Sequence, residues 1–168
     1  MKTLTKILLV VALIAGLTGV AAATNTTQST VTITFSEIAQ IAASGNPGTL
    51  TIAAPATPGS LPADQSDAST TMAWTSNVAA GQTRKITGSL ASLFDGIDLY
   101  ATVTAAGGGT SEGALKFTAA ATDYNFVTGI GNCNTSGETI TFRASVTAMV
   151  APYTSAKVVT WTLTEDAL

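Results

Sequence analysis

Ten carboxylates hold most of the reactive chemistry this chain could offer. They are Glu37, Asp64, Asp67, Asp95, Asp98, Glu112, Asp123, Glu138, Glu165 and Asp166, set beside no histidine, one cysteine (Cys133) and 7 lysines and arginines. Without histidine there is no Ser-His-Asp triad, no Cys-His dyad and no His-ligated zinc or haem. One cysteine excludes an intrachain disulfide and a multi-cysteine metal site. A glycosidase needs two acids facing a cleft at a controlled separation. These acids instead fall in turns or on the polar phase of alternating segments, where charge is solvated. Asp95-Gly96-Ile97-Asp98 divides between a turn and the outer face of a strand. Asp64-Gln65-Ser66-Asp67 offers oxygen ligands for calcium, but it lacks the spacing of an EF-hand loop, and two carboxylates are few. There is no G-x-S-x-G and no S-x-x-K, and Gly107-Gly108-Gly109-Thr110-Ser111 is followed by neither the lysine nor the helix of a phosphate loop. The residues therefore predict a protein that is not an enzyme and uses no cofactor or metal. A net charge of -3 argues against a nucleic-acid surface, which needs lysine and arginine to displace counterions.

The elements that would position these groups follow from threonine. Residues 24–168 hold 28 threonines and 13 serines. Threonine is β-branched and sits well on a half-solvated pleated surface. It alternates with apolar residues through Val31-Ile33-Phe35, Leu50-Ile52, Ile97-Leu99-Ala101-Val103, Ile140-Phe142-Ala144-Val146 and Val159-Trp161-Leu163. A period of two places apolar groups inward and hydroxyls outward. Thr71–Asn77, Gln82–Leu90, Ala114–Ala120 and Tyr124–Ile130 also read as extended. Glycine- and proline-rich turns separate these runs, and residues 53–70, with three prolines, read as one long loop. Ser36 to Ile41 reads either as a turn of helix or as a continuation of the first strand. About nine short strands predict an all-β, antiparallel β-sandwich, immunoglobulin-like or jelly-roll-like, with a single domain over residues 24–168. Trp161 and Trp74 share their phase with core residues and point inward; Tyr100 lies on the outer phase and Tyr153 in a loop. Cys133 falls in the turn-like run Gly131 to Gly137. Asn25 and Asn134 each begin an N-glycosylation acceptor pattern.

Residues 1–23 carry the features of a secretory signal peptide. Lys2 and Lys6 precede an uncharged, largely apolar run from Ile7 to Val20, and Ala21-Ala22-Ala23 supplies the small residues of a cleavage site. That run is shorter than the roughly 20 residues a membrane-spanning helix takes. The expectation is export to the extracellular space or cell surface, with the mature chain starting near Thr24.

Behind this leader comes Ser29-Thr30-Val31-Thr32-Ile33-Thr34-Phe35, and the last alternating run is Val158-Val159-Thr160-Trp161-Thr162-Leu163-Thr164. The outline resembles the small secreted β-sandwich subunits of prokaryotic surface filaments, including archaeal threads, bundling pili and bacterial biofilm-matrix fibres. The resemblance implies assembly by donor-strand exchange, in which the N-terminal strand of each subunit enters a groove of the next. The donor would be the strand 29–35, with Val31, Ile33 and Phe35 inserted into the neighbour. The partner would be the chain itself in a head-to-tail homopolymer, with other cell-surface proteins or polysaccharide as further partners. A first strand at an edge can also pair within its own sandwich, although residues 24–36 contain neither lysine nor proline to protect such an edge. The other function the residues allow is a monomeric secreted binding module, adhesin-like or carbohydrate-binding, using loops 55–70, 105–113 and 131–137.

Overall fold

The structure is a computed structural model and describes residues 27–166. The expected leader, residues 1–23, and the cleavage point near Thr24 lie outside the described residues. The chain divides between Phe35 and Ser36 into two units: residues 36–166 and the described residues before them.

The described residues from Ser36 on hold nine strands: β1 (Ile38–Ala43), β2 (Gln65–Asn77), β3 (Thr83–Leu90), β4 (Ile97–Val103), β5 (Thr110–Ser111), β6 (Leu115–Lys116), β7 (Tyr124–Ile130), β8 (Cys133–Val146) and β9 (Val159–Asp166). They form two antiparallel sheets, one ordered β1-β2-β8-β4-β6 and the other β5-β7-β3-β9. The all-β, antiparallel sandwich architecture is therefore the one expected from the alternation.

One core lies between the sheets. Met72, Trp74, Leu99, Ala101, Val103, Ile140 and Phe142 come from the first sheet; Ile86, Leu90, Phe126, Val127 and Ile130 come from the second. Ile86, Phe126, Val127, Ile130 and Ile140 are fully excluded from solvent, and burying each such side chain stabilises the fold by roughly 1.5–3 kcal/mol. Trp161 packs edge-on to Phe126 at 5.0 Å and lies tilted 6.4 Å from Phe142, so its ring spans the two sheets.

Several expected elements differ. Residues 29–35 lie in no strand; pairing begins at Ile38, so Ser36 to Ile41 leads into a strand rather than a helical turn. Leu50 and Ile52 do alternate in burial with Thr49 and Thr51, but they have no ladder partner. The long loop stops earlier than its composition suggests, because β2 starts at Gln65. What sustains pairing there is a bulge: the β2–β8 register shifts between Asp67 and Thr70, and Asp67 accepts hydrogen bonds from the Ser69 N–H and hydroxyl. A second shift, between Met72 and Trp74, falls where Ser136 and Gly137 oppose Ala73, with Gly137 at φ 77°. Of the turn-like run Gly131 to Gly137, only Gly131 and Asn132 connect β7 to β8; from Cys133 on it is the bulged first part of β8. Ala114–Ala120 shrinks to the two residues of β6. Beyond it the Tyr124 hydroxyl accepts from the Thr118 and Ala119 N–H groups, which closes the chain into a loop.

Candidate functional site

The residues predicted to carry assembly stand out by their exposure. Val31, Ile33 and Phe35 are 79%, 85% and 79% exposed, against a norm in which such side chains are among those most often inside. They alternate with Thr30, Thr32 and Thr34 and belong to no ladder.

The start of the sandwich is tied down at Ser36, Glu37 and Ile38. The Asn77 amide oxygen accepts from the Ile38 N–H, and its NH₂ donates to the Ser36 carbonyl at 2.9 Å. The Arg84 guanidinium, largely buried at the start of β3, pairs with the Glu37 carboxylate. Glu37 precedes β1 in one sheet and Arg84 sits in the other, so this ion pair also joins the sheets at that end.

The edges available for pairing are β1 and β6 in one sheet and β5 and β9 in the other. β5 and β6 are two residues long, too short to template a strand. β1 shows mostly small or polar exposed side chains: Ala39, Gln40, Ala42 and Ala43. β9 has 8 residues and a register to β3 unbroken from Thr83↔Asp166 to Leu90↔Val159. Its inward residues Val159, Trp161 and Leu163 are only half-buried, whereas Ile86 and Leu90 on the adjoining β3 are 0% and 1% exposed. β1 and β9 lie close together on one flank, and there Val159, Trp161 and Leu163 form an apolar seam that stays only half-covered.

The three loops considered for ligand binding do not converge. Two are pinned to each other by Glu138, which is 5% exposed. Its Oε2 accepts from the Thr104 hydroxyl at 2.5 Å and the Ala106 N–H at 3.1 Å; its Oε1 accepts from the Gly107 N–H at 2.7 Å and the Thr135 hydroxyl at 3.1 Å. Burial pushes this carboxyl's pKa up, but the hydrogen bonds from Thr104, Gly107, Ala106 and Thr135 outweigh it and hold it below the ordinary value. Gly107 and Gly108 let the backbone come this close: a Cβ on Gly107 would lie 1.8 Å from Thr135 Oγ1, and one on Gly108 2.8 Å from Cys133 Sγ. The third loop runs into β2 at the other end of β8, where Gln65 faces Ala144. A shallow depression in it is lined by Ala53, Pro55, Leu61 and Gln65, among others, with no charged side chain.

The remaining candidates have structural partners. Asp64 receives the Arg143 guanidinium, whose carbon lies 3.9 Å above the Tyr100 ring centroid; this occupies the outward aromatic face. Hydrogen bonds from Ser145 and Arg143 hold the Asp64 carboxyl below its ordinary range. Lys116 pairs with Asp98 at 2.6 Å, and the Tyr153 hydroxyl donates to the Asp95 carbonyl at 2.8 Å. Trp74 is buried in the core. Sequence reasoning grouped Glu138 with the solvated acids. The signal that could have separated it is its phase: it lies two residues before Ile140 and so shares the inward face of Ile140 and Phe142.

No protein-family model, no curated protein and no solved structure matches this chain.

Proposed function

We propose that the chain is an exported structural protein, a subunit of an extracellular filament or surface matrix, assembled by strand donation between copies. One observation carries the reading: the uncharged, alternating segment 29–35 has the pattern of a half-buried strand, yet it lies outside every ladder with Val31, Ile33 and Phe35 exposed. An extended segment of this kind is satisfied by adding to a sheet edge. Main-chain hydrogen bonds then give affinity, and alternate side chains fill pockets. A donor and an acceptor at different places on one molecule make a heterologous contact that does not close, which yields a fibre. The leader-like residues 1–23 support export, and the lack of histidine and of a carboxylate pair supports a role in contact rather than catalysis.

The test compares residues 24–168 with residues 36–168 by negative-stain microscopy and light scattering. The expected result is filaments or large species that vanish on truncation. A monomer at every concentration for the longer chain overturns the reading and favours a monomeric secreted binding module.

A further inference from the structure

We infer that the free edge of β9 is the acceptor for residues 29–35 of a second copy, so that Val31, Ile33 and Phe35 cover the seam beside Trp161 and Leu163. This rests on the strand-donation reading above and adds to it the receiving surface.

The argument starts from what an edge strand normally does to avoid pairing. Native edges are shortened, bulged, charged or broken by proline. Two of the four edges, β5 and β6, are short in this way. β9 uses none of these devices over most of its length. Its register with β3 has no bulge, Val159 to Thr164 contains no charge and no proline, and the acids Glu165 and Asp166 lie only at its end. A long, regular, uncharged edge is one that pairs. Its apolar face is also unfinished, since Val159, Trp161 and Leu163 stay half-buried while the inward residues of β3 are sealed. An added strand would supply both the hydrogen bonds and the cover that β9 lacks.

The occupant is identified by complementarity. Segment 29–35 is about as long as β9, carries no charge, and has apolar residues at every second position. The competing edge, β1, offers only Ile38 and Ile41 as half-buried apolar residues among exposed alanine and glutamine. β9 runs the length of the sandwich, from Val159 opposite Leu90 to Glu165 opposite Arg84, the end at which the chain leaves at Ser36. Residues 29–35 of the same chain nevertheless pair with no strand, which leaves this edge open to a second copy.

Two full-length, leader-processed variants separate donor from acceptor. I33D/F35D disables the donor at exposed positions and leaves β9 intact; Leu163→Lys places an inward charge on β9 and leaves the donor intact. Each alone is expected to remain monomeric by light scattering, and a one-to-one mixture is expected to give a species of twice the monomer mass. Assembly of the Leu163→Lys variant at the wild-type level would overturn the β9 assignment while leaving strand donation standing. Assembly of I33D/F35D at the wild-type level would overturn strand donation itself. Hydrogen exchange on the assembled wild-type chain decides the case if Leu163→Lys does not fold. The β9 amides that face away from β3 are expected to become protected on assembly. Protection of residues 29–35 without any change in β9 would overturn the inference.

Discussion

Glu138 shows how far a single carboxylate can organise the loops around it. Each of its oxygens takes one backbone N–H and one threonine hydroxyl. A glutamine cannot reproduce this, because whichever way its amide is turned, its NH₂ faces the N–H of Ala106 or of Gly107. Glu138→Gln is expected to destabilise the fold by about 1–3 kcal/mol, the cost of leaving a buried donor unpaired; the midpoint of urea unfolding measures it. The pH dependence has a definite sign. The folded-state pKa lies below the ordinary value of 4.5, so the contribution is fully present above that pH and is lost as the pH falls through the lower folded value. The glutamine variant is expected to lose this part of the acid sensitivity. An unchanged acid-unfolding profile would show that Glu138 is not the group responsible.

The strand elements explain a residue that looks out of place. Gly88 lies in the middle of β3, directly opposite Trp161 on β9, although glycine ordinarily weakens a strand. A Cβ there would lie 2.6 Å from the Trp161 ring and 2.8 Å from Phe126. The glycine makes room for the indole that bridges the sheets. Gly88→Ala is expected to cost about 1–3 kcal/mol by overpacking and to push the indole toward solvent. Chemical denaturation and a red shift in tryptophan emission would check both; full stability with unchanged emission would contradict the packing described. The same strands show what was legible in the sequence. β4, β9 and the Ile140–Val146 part of β8, buried on one face, announced themselves by alternation, β3 and β7 read as extended, and the inward aim of Trp74 and Trp161 followed from their phase. What was not legible depended on partners distant in the chain. The bulge that lets β2 begin at Gln65 depends on β8, and the early start of β8 depends on β2. Leu50 and Ile52 have the right pattern but no strand opposite them. The exposure of Val31, Ile33 and Phe35 was likewise invisible, because alternation records a tendency to pair and not the location of the partner.

At the scale of the molecule, apart from β1 with β2, no two consecutive strands hydrogen-bond to each other; from β2 onward the chain changes sheet at every step. The core therefore closes only when distant segments meet, a topology that folds slowly because loop-closure entropy is lost before contacts repay it. Such a sandwich can keep one edge and the segment 29–35 outside every ladder, since its buried core closes without either. The most direct test of this account is amide hydrogen exchange at residues 29–35 of the leader-processed chain, followed by mass spectrometry across a concentration series. The account predicts near-unprotected exchange when the chain is dilute and strong protection once copies assemble. Exchange at residues 29–35 that does not change with concentration, whether fast or slow, would contradict it.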